Sequence, residues 1–175
     1  MDLTYQLLID LMTVKTHPLI VKRIDWPDEP ATQAFAQQLA QRPEIGHALI
    51  ELRGDLGAGK TTFVRHLLTA LGVQGRIKSP TYAVVEPYTL EAGGSRLPLE
   101  IWHFDFYRFN DPREWEEAGF RDIFSSAGLK LVEWPEKAGP YLPTADLVVA
   151  IEVHVDASRS VLLTANSPVG RALLA

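Results

Sequence analysis

The chain has 175 residues, 46% of them hydrophobic and 22% charged, with a formal net charge of −5, which suffices for one well-buried core and not for two domains. Its acidic balance, without long runs of like charge, speaks against a free-standing nucleic-acid binder, because such proteins need clustered Lys and Arg to hold a phosphate backbone. The absence of Cys excludes disulfides, thiolate metal sites and thiol nucleophiles and fits a cytoplasmic location.

The opening stretch, Met1 to His17, carries an apolar core broken by Asp10 and has no basic leader. Residues 1–18 therefore read as an N-terminal extension rather than a signal peptide or a membrane span. Residues 19–175 read as a single domain. Leu19 to Ile24 is a first strand, and the turn at Trp26 to Pro30 starts a helix reaching Arg42 with Ala31, Phe35 and Leu39 on its buried stripe. The apolar run His47 to Leu52 comes next, then a glycine-rich stretch, then the helical Thr62 to Leu71. On that helix Thr62, Arg65, His66 and Thr69 share one face, which leaves Phe63, Val64, Leu67, Leu68 and Leu71 for the core and His66 at the surface.

After Gly72, the segment Arg76 to Tyr88 contains the β-formers Tyr82, Val84 and Val85. A turn at Gly93-Gly94 then leads into Leu97 to Phe104. These two segments form a hairpin, so the sheet is mixed. Asp111 to Ser126 reads as two short helices separated at Gly119, and within it Asp111 to Phe124, with its acids and aromatics, is either an amphipathic connector or part of a partner surface. Leu129 to Glu133 is a compact strand stopped by Pro135, and Asp146 to Val155 pairs with Ser160 to Thr164 across a turn at Asp156-Ala157-Ser158. The fold class is α/β: a mixed parallel and antiparallel sheet flanked by helices.

The chemistry starts at Gly54 to Thr61, G-D-L-G-A-G-K-T, a complete G-x-x-x-x-G-K-[ST] phosphate loop between a strand and a helix. The glycines let successive amides point into one concavity, and the helix adds the positive end of its dipole. Asp55, Leu56, Gly57, Ala58, Gly59, Lys60, Thr61 and Thr62 are thus candidates for binding a nucleoside triphosphate. Lys60 would reach the β- and γ-phosphates and Thr61 would ligate Mg²⁺. Such a loop also needs an acid for the metal, and two strands end in one: Asp105 after Phe104, and Glu133 after Val132. Glu133 is the preferred Mg²⁺ acid, because its short apolar strand most resembles a Walker B element, and Asp105 is a catalytic or supporting group. A period of two places His103 on the face of Asp105, where the two are either a structural hydrogen-bonded pair or a pair that orients a metal-bound water. Ser79-Pro80-Thr81-Tyr82 is, on its own, either an ordinary proline turn leading into a strand or, with Ser79 and Thr81, the place where nucleotide switches carry a hydroxyl that senses the γ-phosphate.

Taken in order, Gly54 to Thr62, Ser79-Pro80-Thr81-Tyr82, His103-Phe104-Asp105-Phe106-Tyr107-Arg108 and Glu133-Trp134-Pro135-Glu136 resemble the motifs of the TsaE family over the chain from Leu19 onward. The resemblance implies a single P-loop ATPase domain that binds ATP and Mg²⁺. It further implies docking on transferase partners of the TsaD and TsaB type that make threonylcarbamoyladenosine beside the anticodon of tRNA, with tRNA reached through that complex. It also implies feeble hydrolysis by the isolated chain, the phosphate and metal roles for Lys60 and Thr61, the acidic roles for Asp105 and Glu133, and a position near the nucleotide for Trp134. Adenine is expected from the resemblance, and no N-K-x-D run favours guanine. Tyr82 stands where the family commonly has Phe, and His66 where it often has Gly. A small-molecule kinase shares the loop and the size, but no arginine-rich lid is evident. A nucleotide-gated binding module without hydrolysis is the remaining alternative.

Overall fold

The computed structural model describes residues 20–92 and 98–175. The expected extension at residues 1–18 and the Gly93-Gly94 turn lie outside them. Seven strands form one sheet: β1 (Ile20–Trp26), β2 (Leu49–Arg53), β3 (Val85–Leu90), β4 (Leu99–Asp105), β5 (Leu129–Glu133), β6 (Leu147–Val153) and β7 (Arg159–Ala165), in the spatial order β1-β7-β6-β2-β5-β4-β3. The central pairings β6/β2, β2/β5 and β5/β4 are parallel, whereas β1/β7, β7/β6 and β3/β4 are antiparallel. The mixed sheet and the β3–β4 hairpin expected from the sequence are both present.

Helices cover the two faces unequally. On one face lie α1 (Glu29–Ala40) and α2 (Lys60–Leu71), together with the C-terminal α5 (Pro168–Leu173). Asp28 caps α1 by accepting from the Ala31 amide at 2.9 Å, a contact of a type worth about 1 kcal/mol. The fully buried residues of α1 are Thr32, Ala36 and Leu39; Leu39 is as expected, whereas Ala31 and Phe35 are only half-buried, because the inward face is turned toward Thr32 and Ala36. On α2 the inward face is the expected one: Phe63, Val64, Leu67 and Leu68 are at 0% exposure, and truncating such a leucine to Ala costs about 2–5 kcal/mol. Among the described residues, no helix is long and apolar enough to cross a membrane.

The other face carries an aromatic cluster beneath α3 (Arg113–Glu117) and α4 (Arg121–Ser125). Phe104 packs edge-on against Phe120 and at a tilt against Phe106 and Phe124, with ring centroids 4.9–5.6 Å apart, a spacing at which aromatic pairs add to simple burial. This corrects one expectation. Trp115 and Phe120 are at 3% and 8% exposure and Phe124 is half-buried against the same cluster, so the aromatics of segment 111–124 pack inward, while Glu116, Glu117 and Asp122 face outward together with Arg113 and Arg121.

A second correction concerns the segment from Arg76 to Val84, which is irregular rather than extended. Val84 has φ +69°, a left-handed conformation that a β-branched residue takes only at a cost, and its amide turns back to the Pro80 carbonyl at 2.6 Å. The strand begins only after that turn, and Tyr82 projects from it at 85% exposure. The 3-10 turn Pro43–His47 and helix α5 have no counterpart in the sequence reading.

Candidate nucleotide site

Strand β2 ends at Arg53, the loop Gly54 to Gly59 follows, and α2 starts at Lys60. The loop can lie this close to the sheet only because residue 54 is a glycine: it has φ +138°, and a Cβ there would stand 2.4 Å from the Ile151 carbonyl oxygen of β6. At the start of α2 the amides of Lys60 and Thr61 have no intrahelical acceptor, which is the electrostatic condition for holding an anion. A cleft of about 270 Å³ opens beside them, lined by the loop and by Ser79, Thr81, Asp105, Tyr107, Glu133 and Trp134.

Lys60 is 4% exposed. Its Nζ donates to the carbonyls of Gly54 at 2.6 Å and Asp55 at 2.8 Å and lies 3.9 Å from the centre of the Trp134 ring. Burial pushes the pKa of this ammonium down from the ordinary lysine value, against the attraction of Glu133, Glu136, Asp105 and Asp55. A phosphate at the loop would supply the negative partner that the ammonium lacks. Trp134 has φ +58° and ψ +48°; a tryptophan in this left-handed region marks a place where the surroundings dictate the backbone. Its ring lies 5.0 Å from Tyr107, so two aromatics close one side of the cleft. Asp55 contributes its carbonyl while its side chain is exposed, Leu56 is 75% exposed at the rim, and Ala58 is buried behind the loop. Gly57, Gly59 and Thr62 line the cleft.

The two acids come together through sheet register. Strands β4 and β5 are parallel and pair Asp105 with Glu133 and His103 with Leu131. Since successive residues alternate faces, His103, Asp105 and Glu133 all emerge on the α2 side, with Ile101, Leu129 and Leu131 beneath them. Thr61 Oγ1 donates across both oxygens of Glu133, at 2.9 Å to each. Glu133 is 2% exposed and also accepts from Nε2 of the fully buried His103 at 2.8 Å. The partner of His103 is therefore Glu133 and not the expected Asp105. Nδ1 of His103 has no hydrogen-bond partner among the described residues.

Asp105 serves a different segment. Its Oδ2 accepts from Thr81 Oγ1 at 2.7 Å and from Ser79 Oγ, and these two hydroxyls lie 2.9 Å apart. Its Oδ1 accepts from the Tyr107 amide at 2.9 Å, and its own amide donates to the Val84 carbonyl at 2.9 Å. All the residues singled out from the sequence thus converge on one cleft or on the loop that forms it. Two neighbours were missed: His103 as a partner of Glu133, legible only with the β4/β5 register in hand, and Arg159, which reaches the loop from β7.

The donor set fits Mg²⁺ bound together with phosphate. It consists of oxygens, from Thr61 and Glu133, as a hard cation requires, and two protein ligands leave places for phosphate and water. Among the described residues no group of three or more His, Cys, Asp or Glu could hold a metal by itself, which suits an ion carried in with a nucleotide rather than caged by protein.

A strand, a glycine-rich loop capped by a lysine, a helix beginning at the loop, and an acid on the adjacent parallel strand facing the helix's first hydroxyl define a P-loop domain of the NTPase type. The family model described as threonylcarbamoyl adenosine biosynthesis protein TsaE matches residues 26–161, and the chain belongs to that family. The protein named tRNA threonylcarbamoyladenosine biosynthesis protein TsaE from Haemophilus influenzae is 41% identical over 152 residues, covering 85% of this chain and 92% of the relative. The protein of the same name from Bacillus subtilis is 35% identical and covers 83% of this chain and 87% of its own. The crystal structure of YdiB from Bacillus subtilis superposes with a TM-score of 0.70 at 26% identity, covering 90% of this chain and 94% of that one.

Proposed function

We propose that this chain binds ATP with Mg²⁺ and hydrolyses it as an accessory subunit in the threonylcarbamoyl modification of the adenosine next to the anticodon in tRNA. It would act by docking on transferase subunits of the TsaD and TsaB type and reach tRNA through them. The observation that carries the reading is the contact of Thr61 Oγ1 with both oxygens of Glu133 at 2.9 Å, in a cleft walled by the phosphate loop. Family membership supports the pathway, and the name that both relatives carry points to the same modification.

The residues divide the work by position. Loop amides and the Lys60 ammonium stabilise negative charge on the β- and γ-phosphates, which in phosphoryl transfer is the largest share of catalysis. Mg²⁺, when bound, neutralises the same charge and orients water. Thr61 and Glu133 would hold it, and His103 fixes the Glu133 carboxylate by donating to one oxygen. Asp105 holds Ser79 and Thr81 at the γ-phosphate side of the cleft, from which a hydroxyl can report whether that phosphate is present. Trp134 and Tyr107 restrict water on the flank.

Single-turnover phosphate release with and without the transferase subunits tests the assignment. Release to water that rises on adding them supports an ATPase. Transfer to a metabolite would make the chain a kinase, and no cleavage in the assembly would make it a nucleotide-gated binding module. Co-precipitation of the same subunits in ATP, ADP and no nucleotide tests partner identity together with gating.

A further inference from the structure

Arg159, the first residue of β7, lies 101 positions from the phosphate loop in sequence and touches it in space. Its Nε–H donates to the Ala58 carbonyl at 2.9 Å, and its Nη1 donates to the Ala157 carbonyl at 3.0 Å. The guanidinium is therefore tied to the β6–β7 turn on one side and to the loop on the other. No carboxylate pairs with it among the described residues, so its full charge is added to the neighbourhood of the loop. Gly59 packs directly on it: φ is +106°, and a Cβ there would stand 3.2 Å from Nε. Hence the second glycine of the G-x-x-x-x-G-K-[ST] pattern, just before the lysine, here has a specific neighbour that a side chain would press upon.

The geometry of the peptide unit gives this contact a consequence. No described peptide is cis, and in a trans peptide the carbonyl and the following N–H point in opposite directions. Drawing the Ala58 carbonyl toward Arg159 turns the Gly59 amide the other way, and Gly59 lines the cleft whereas Arg159 does not. We propose that Arg159 is a positioning residue of the nucleotide site, its Nε–H holding the Ala58 carbonyl so that the Gly59 amide stays aimed into the concavity that takes the phosphates. The strand β7 is paired on both sides, with Trp26 of β1 and Val153 of β6 opposite Arg159, so the buttress rests on a rigid support. A loop preorganised in this way needs no rearrangement of that peptide when an anion arrives.

This inference rests on nucleotide binding at the loop, and the experiment separates the two. Affinities for ATP and for ADP are measured by calorimetry on wild type, Arg159→Met and Arg159→Lys, at low salt and at about 0.5 M salt, where exposed charges more than a few ångströms apart are screened, together with thermal melting of each protein. The expected result is a loss of about tenfold for both nucleotides in Arg159→Met, the size of one hydrogen bond to a charged group, persisting at high salt with the melting temperature little changed. Arg159→Lys, which keeps the charge without the fixed Nε donor, is expected to remain at least about threefold weaker than wild type. Full affinity in Arg159→Met, or full rescue by lysine with a deficit that salt removes, overturns the positioning role; if the methionine variant does not fold, the lysine variant alone decides. A wild type that binds neither nucleotide would instead sink the underlying reading of the loop.

Discussion

The two walls of the cleft hold their carboxylates in different ways. Glu133, on β5, takes its hydrogen bonds from Thr61 in the first turn of α2 and from His103 on β4, so every partner sits on a regular element. Asp105, paired with it across the sheet, takes its side-chain bonds from Ser79 and Thr81, in an irregular segment without strand or helix pairing, and from the Tyr107 amide just past its own strand. Elements with few buried contacts and few ladder bonds are the ones that rearrange at low cost. If the site binds nucleotide as proposed, the Glu133 wall is the one expected to hold and the Asp105 wall the one expected to respond.

Removing the two carboxylates separately is the strongest way to break this contrast. Glu133→Ala is expected to abolish the Mg²⁺-dependent part of ATP affinity, a loss of up to about a hundredfold for a metal-site group, whereas Asp105→Ala should retain most of it. Titration of each variant with and without Mg²⁺ checks this, and an unchanged metal requirement in Glu133→Ala would exchange the two assignments. On the responsive wall, Thr81→Val removes a hydroxyl while keeping the shape. It should leave ADP affinity within about twofold and lower turnover in the assembled complex by more than about tenfold, because the lost interaction belongs to the triphosphate state. Normal turnover in that complex would reduce the Ser79-to-Thr81 segment to an ordinary proline turn.

What the sequence revealed follows the same division. Strand β5 is legible to the residue, from Leu129 to Glu133, because an apolar run bounded by an acid and Pro135 carries its own punctuation, and α2 is legible because its apolar face repeats at helical spacing. The segment 76–84 misleads because Tyr82, Val84 and Val85 are β-formers, and the left-handed turn at Val84, which sets where β3 begins, leaves no mark in composition. The aromatics of 111–124, taken alone, leave an amphipathic connector and a partner surface both open, and they pack inward because β4 presents Phe104 to them. The partners of His103 and Arg159 were hidden for a third reason: they lie 30 and 101 residues away, and only the β4/β5 register in the first case and the folding of the loop against β7 in the second bring them together.

A smaller effect sharpens the picture of the rigid wall. His103→Phe fills the same buried space, removes the donor to Glu133 and replaces an Nδ1 that has no partner. Mg²⁺-supported ATP affinity should fall by about tenfold, the lower end of what metal-site supporting residues contribute, while thermal stability is held or improved because a buried unpaired nitrogen is gone. A variant that melts much earlier yet binds normally would make His103 a packing residue.

The opposite end of β5 gives the smallest effect and the clearest sign. Lys130 is 5% exposed, donates to the Ser126 carbonyl and lies 5.0 Å from the centre of the Trp102 ring, and no carboxylate pairs with it among the described residues. Burial pushes its pKa below the ordinary lysine value. Where the ammonium is charged in both the folded and the unfolded chain, the folded state bears the desolvation cost, which the ring and the carbonyl offset only in part. Between the lowered folded pKa and the unfolded one, the unfolded chain binds more protons, so stability rises with pH through that window. Lys130→Met should accordingly be more stable than wild type at pH 7 by about 1 kcal/mol, and denaturant titrations at increasing pH should show this advantage shrinking as the wild-type lysine loses its proton. An advantage that stays constant to high pH would mean that the gain comes from packing against Trp102, with the buried charge making no contribution.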